Sequence, residues 1–138
     1  MFVQLFTISV FLILTGPDGR ALATAEFDLH PIERQVIEQT NAQRALLGLA
    51  PLLVDSGLKA TARQHATWMT NTQTLVHTTL PVSENIAMGQ LSAAEVVQAW
   101  MDSPGHRANI LNPEHRRIGV AAYATPDGTV YWCQQFLQ

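Results

Sequence analysis

The segment Ala99-Trp-Met-Asp-Ser-Pro-Gly-His-Arg-Ala-Asn-Ile-Leu-Asn-Pro113 sets a histidine where an imidazole can be used. Ser103 suits an N-cap, and Pro104 suits the first helical position, where its missing N–H costs nothing. His106 then falls in the first turn of a short helix. The partial positive charge of the exposed N–H groups there disfavours the imidazolium. A neutral imidazole so placed accepts a proton or coordinates a metal. Asn112-Pro113 ends the helix. Asp102, Ser103 and His106 have the residue types of a serine triad. Ser103 is better used as the cap, and three groups so close in sequence do not align by themselves. The chain carries no His-Glu-x-x-His zinc helix, no Gly-x-Ser-x-Gly elbow, no phosphate-binding Gly-Lys loop and no acidic calcium loop.

The elements that must position His106 follow from periodicity. Pro31 opens a first helix whose apolar members, Ile32, Val36, Ile37, Leu46 and Leu47, recur at three-to-four spacing with Thr40 and Arg44 among them. Gly48 is a natural residue just past its end. Asp55 or Ser56 caps a second helix running to about Asn71 and burying Leu58, Ala62, Ala66 and Met69. Ser92-Ala-Ala-Glu95 is a capping box for a third helix through Val96, Val97, Trp100 and Met101. The period then changes. Ile118–Ala124 and Thr129–Phe136 read as strands joined by the turn Thr125-Pro-Asp-Gly128, an antiparallel hairpin. A short strand around Asn85–Met88 can join them. Helices first and a hairpin last predict an α+β fold. Trp68, Trp100 and Trp132 are expected to supply core area, with partners for their indole N–H groups. Cys133 reads as a buried small hydrophobe, His65 as a packed and hydrogen-bonded helix residue, and His115 as an exposed member of a basic turn.

With 138 residues the chain is long enough for one domain with a single core. A net charge of −3 gives no electrostatic footprint for nucleic acid. Its basic cluster, Arg107, Arg116 and Arg117 with His115, reads as solvated charge paired with nearby carboxylates. Residues Met1–Leu14 are apolar apart from Gln4, Thr7 and Ser9, shorter than the roughly 20 residues of a membrane span. Ala21-Leu-Ala23 and Ala23-Thr-Ala25 fit small-x-small cleavage sites, although no basic residue precedes the apolar run. The expectation is a signal peptide over 1–23, a mature domain over 24–138 and a secreted, periplasmic or extracellular location. No stable membrane span should remain after cleavage. The single cysteine excludes an internal disulfide.

The Ser-Pro-Gly-His-Arg-Ala-Asn-Ile-Leu string, with Ser83-Glu-Asn-Ile-Ala87 upstream, resembles the CAP superfamily of cysteine-rich secretory, antigen 5 and pathogenesis-related 1 proteins, and its small disulfide-free bacterial SCP-like branch in particular. Asn41-Ala-Gln-Arg44 with Gly48-Leu-Ala-Pro-Leu52, Ala62-Arg-Gln-His65 and Tyr131–Phe136 extend the likeness from about His30 to Phe136. The resemblance sharpens the fold to a CAP-type α-β-α sandwich, a small antiparallel sheet between helical layers. It also implies a shared cleft for His77, Glu84 and His106. Larger members carry a second glutamate where this chain has Ser103, one residue after Asp102. Asp102 is the one substitute, although neighbours on a helix point about 100° apart.

Two imidazoles and a carboxylate offer Zn²⁺ three ligands and an open position. They also make a metal-free hydrogen-bonded cluster with Glu84 orienting a ring. Three functional readings stand. In the first, the cleft binds an extracellular ligand or partner (lipid, peptide or envelope component), with or without a divalent metal on His77 and His106. In the second, the protein is a metal-assisted hydrolase of peptide or cell-envelope material, with Glu84 as ligand or base. The third is a structural adhesion module, marked by an exposed apolar patch away from the cleft.

Overall fold

The computed structural model describes residues 29–138, so the expected export signal and its cleavage sites lie outside the described residues. Helix α1 (Pro31–Ala45) starts with proline at its first turn, and Glu33 reaches back to accept from the His30 N–H at 2.9 Å. Gly48, at φ +68°, turns the chain away after α1, a conformation that costs glycine little. Strand β1 (Leu53–Val54) leads into α2 (Ser56–Thr72), whose first turn is capped by Asp55 accepting from Leu58 N at 2.8 Å. Strand β2 (Ser83–Met88) precedes α3 (Ala93–Met101), where Ser92 Oγ accepts from Glu95 N at 3.1 Å. The short α4 (Pro104–Ile110) and the hairpin β3 (Arg117–Ala124) and β4 (Val130–Leu137) complete the described chain.

The sheet order is β1-β3-β4-β2. It is mixed rather than wholly antiparallel, because β1 runs parallel to β3. A two-residue strand has no readable period. What lays it down is Asn41, which donates to Leu52 O at 3.1 Å and accepts from Leu52 N at 2.8 Å. The two faces follow strict alternation. Ile118, Val120, Trp132, Phe136 and Ala87 face α1 and α3 in one core. Ala121, Tyr131, Cys133 and Ile86 face Ala62, Ala66 and Met69 of α2 in the other. Burial of each large apolar side chain stabilises the sandwich by about 1.5–3 kcal/mol. The helix α2 lies so close to β3 that a Cβ at Gly119 would stand 2.2 Å from the Leu58 carbonyl carbon.

Three expectations fail locally. Leu46 and Leu47 are exposed, because α1 ends at Ala45 and the turn carries them off the buried stripe. Trp68 is 46% exposed, while Trp100 and Trp132 are buried and donate to Ile86 O at 3.2 Å and Gln90 O at 3.1 Å. His115 is buried, its ring stacked on Phe136 at 5.1 Å, because the turn tucks it under the sheet edge while Arg116 and Arg117 point outward. The expected helices and hairpin form where periodicity put them, Asp55 and Ser92 cap α2 and α3 as expected, and Glu95 reaches back to Leu91 N at 2.9 Å rather than to Ser92 N.

Candidate functional site

Glu84 anchors the site. It lies on β2 on the α2 face, buried, in register with Gln135 of β4. Its Oε1 accepts from His77 Nδ1 at 2.8 Å and from Thr78 N at 2.9 Å. Its Oε2 accepts from Gln135 Nε2 at 2.9 Å and from the Cys133 thiol at 3.6 Å. Gln135 is itself held by Thr61 Oγ1 of α2 at 2.7 Å. Burial alone would raise the Glu84 pKa. The hydrogen bonds from Gln135, Thr78 and His77, with His65 nearby, outweigh it and hold the carboxyl below its ordinary value. Burial and the Glu84 charge push the Cys133 thiol well up, so it is an inert core group, as its strand pattern predicts.

A carboxylate only accepts, so His77 donates its Nδ1–H to Glu84, and its Nε2 takes no part in that bond on a largely exposed ring. His65 Nε2 donates to Val76 O at 2.7 Å and lies 4.0 Å from Glu84 Oε1, so its packed, hydrogen-bonded role holds. Its ring stacks on Trp68 at 5.8 Å. Beside these residues opens a cleft of about 410 Å³ lined by Thr61, His65, Trp68, Val76, His77 and Leu80.

His106 comes from the other direction. Its helix α4 packs on β2 and α3, with Ser103 at the N-cap and Pro104 at N1. The Ser103 side chain makes no capping bond, so the proline and the break before it start this helix. Asn85 Nδ2 grips the His106 carbonyl at 3.1 Å, and Asn109 Nδ2 donates to Asn85 Oδ1 at 2.9 Å and to Glu84 O at 3.2 Å. Gln134 extends this network to α1, accepting from Asn85 at 3.1 Å and donating to Thr40 Oγ1 at 2.7 Å. Burial lowers the His106 pKa and the nearby His77 lowers it further, so both burial and a second imidazole keep the ring neutral.

Of the four expected site residues, His77 and Glu84 touch, and His106 sits within electrostatic reach of His77. Asp102 stays on the exposed face of α3, accepting from Gln98 at 2.8 Å. Among the described residues no group of three or more His, Cys, Asp or Glu side chains is arranged to hold a metal ion. The two Glu84 oxygens accept four hydrogen bonds between them. Sequence reasoning missed Gln135 and Thr78 as its holders. Period-two alternation put Gln135 on the Cys133 face, but its meeting with Glu84 depends on strand register. It also missed Arg44, buried on α1, which donates to the carbonyls of Ala50, Ile110, Asn112 and His115 at 2.8–3.3 Å and ties α4 to α1.

The model of the Cysteine-rich secretory protein family, CAP, matches residues 37–136. The chain belongs to the CAP family. It is 38% identical over 140 residues to the uncharacterized protein YkwD of Bacillus subtilis, a match covering 89% of this chain and 53% of YkwD. The chain thus spans about half the length of that relative. An extracellular protein with an SCP domain from Bacillus anthracis shares the fold, with TM-score 0.67, 22% identity, and coverage of 91% of this chain and 44% of that one. NaASP2, solved with Zn²⁺, superposes with TM-score 0.60 at 16% identity, covering 76% and 78%. The CAP assignment and the α-β-α sandwich expected from the sequence both hold.

Proposed function

We propose that this CAP protein is exported and captures an extracellular ligand in the Trp68–His77 cleft, with His77 and His106 able to hold a divalent cation such as Zn²⁺ at its rim. The observation that carries this reading is the His77–Glu84 bond. A carboxylate taking Nδ1–H is the usual outer-shell partner of a metal-binding imidazole, and it presents Nε2 as a ready ligand. The second ring, His106, is kept neutral, as coordination requires. Two imidazoles suit a loosely held cation completed by water or by the ligand itself, rather than a closed structural site. When bound, such an ion would act as a Lewis acid. The Zn²⁺ in NaASP2, on the same fold, supports the choice of metal. Apolar walls from Trp68, Val76 and Leu80 support a ligand with an apolar part, from a lipid, a peptide or the cell envelope. Export is supported by the apolar run Met1–Leu14 and the small-x-small sites after it. Among the described residues no helix is long and apolar enough to cross a membrane.

The hydrolase reading asks Glu84 to serve as metal ligand or base. Its two oxygens already accept four bonds, which favours capture over turnover. The test is a thermal melt with Zn²⁺. The wild-type melting temperature should rise, and the rise should vanish in His77→Ala and His106→Ala. Glu84→Gln should weaken Zn²⁺ binding by roughly 10–100-fold, and Asp102→Ala should leave it unchanged. An undiminished rise in both histidine variants rejects the site. Quenching of Trp68 fluorescence by lipid or envelope extracts reads capture directly, and Zn²⁺-dependent turnover lost in Glu84→Gln would instead favour the hydrolase.

A further inference from the structure

On the opposite face of β2 from Glu84, a second pair of side chains has the arrangement of a catalytic dyad. Ser83 Oγ lies 3.1 Å from His115 Nε2. The other ring nitrogen, Nδ1, is 3.0 Å from Asn109 O, and since a carbonyl only accepts, Nδ1 bears the proton. Nε2 of the neutral ring is therefore the acceptor, facing the serine hydroxyl. Asn112 Nδ2 also approaches Nε2, at the longer distance of 3.4 Å. The ring plane is set by its stack on Phe136 at 5.1 Å and 10°. The His115 backbone is set by its carbonyl, which accepts from Arg44 at 3.3 Å and Arg116 at 3.2 Å. A buried base fixed on three sides and a half-buried hydroxyl open onto a cleft of about 400 Å³ lined by Pro81, Val82, Ser83, His115, Arg117 and Leu137. Neither Ser83 nor His115 belongs to the His77–Glu84 site.

We infer that Ser83 is a nucleophile activated by His115 and that this cleft hydrolyses short-chain carboxylic esters. The hydroxyl oxygen attacks the ester carbonyl carbon as its proton passes to His115 Nε2. Collapse of the adduct breaks the bond to the alcohol oxygen, and the alcohol leaves with that proton. Water then attacks the acyl-serine, again giving its proton to Nε2. The carboxylic acid departs and Ser83 recovers its hydrogen. The Asn109 carbonyl holds the tautomer throughout, the part that the third residue plays in a triad. Burial lowers the His115 pKa and Arg44 lowers it further, against the Asn109 bond that raises it, so the ring is free base at neutral pH. Pro81, Val82 and Leu137 give the acyl chain an apolar wall, and the cleft volume admits a small ester.

The test uses the whole chain treated with diisopropyl fluorophosphate, read by intact mass and peptide mapping, with p-nitrophenyl butyrate hydrolysis alongside. One adduct per chain is expected, on Ser83, and none in Ser83→Ala at unchanged melting temperature. His115→Phe keeps a ring against Phe136 but removes the base, and should slow labelling and hydrolysis by about 100-fold or more. No adduct on the wild type, an adduct elsewhere, or hydrolysis that survives in Ser83→Ala overturns the proposal. Should His115→Phe fail to fold, the mapping and Ser83→Ala decide it alone.

Discussion

Glu84 illustrates how one side chain acquires its role from what surrounds it. The motif Ser-Glu-Asn-Ile-Ala marks it as a candidate ligand or base, yet the fold fills its acceptor sites with four donors. Glu84→Gln puts an amide nitrogen against donors and leaves buried polar groups without partners. That should cost about 2 kcal/mol in urea unfolding at pH 7. The pH dependence has a definite sign. The folded pKa lies below the ordinary 4.5, so the carboxylate's contribution is present above that value and is lost as pH falls through the folded pKa. The gap between wild type and variant should therefore narrow on acidification. A gap that stays constant from pH 7 to pH 3 would contradict the assignment of these hydrogen bonds.

At the level of elements, two contacts set where the site's pieces stand. Arg44 projects from the buried face of α1 into the end of α4 and the turn beyond, serving four carbonyls. Arg44→Met removes the donor that these carbonyls share, leaving Asn112 O with only His115 N and His115 O with only Arg116, and should lower stability by about 3 kcal/mol, measured as a shift in denaturant midpoint. Arg44→Lys should rescue little, because one ammonium lacks the planar fork that reaches several acceptors. Because α4 carries His106, the Met variant should also weaken Zn²⁺ binding beyond its effect on folding. The second contact is α2 on β3. Gly119→Ala drives a methyl into the Leu58 and Lys59 backbone, where no flexible side chain can yield. A loss of about 3 kcal/mol or more is expected, with Thr61, His65 and Trp68 displaced together because they share α2. An unperturbed Trp68 spectrum in that variant would mean α2 does not move as a unit.

For the molecule as a whole, a half-buried histidine and a buried one point the same way. Burial lowers the pKa of both His106 and His115 from 6.5. Each stabilises the fold while neutral, a contribution complete above the unfolded value near 6.5 and lost as pH falls through the folded one. Glu84 adds the same sign at lower pH. The melting temperature should accordingly fall between pH 7 and pH 5, before ordinary carboxylates titrate, and continue to fall below that. His115→Phe should flatten the upper part of this decline. A melting temperature that rises over the same window would show that these rings are not held as free bases.

Local chemistry made much of this architecture readable. Proline and serine mark the helix starts, three-to-four spacing marks Val36, Ala62, Ala66, Met69 and Trp100 as buried, and Thr125-Pro-Asp-Gly128 marks the hairpin. These signals act over a few residues and survive without knowledge of the partner. The motif strings carried the family and, through it, His77, Glu84 and His106. What stayed hidden were meetings between distant segments. The parallel strand Leu53–Val54, the pairing of Glu84 with Gln135, the reach of Arg44 to α4 and the inward turn of His115 each depend on register or packing. A buried arginine and a solvated one have the same letter, and so do a ligand carboxylate and an orienting one. Which of these each becomes is settled by the groups the folded chain brings against it, and no neighbouring residue encodes that.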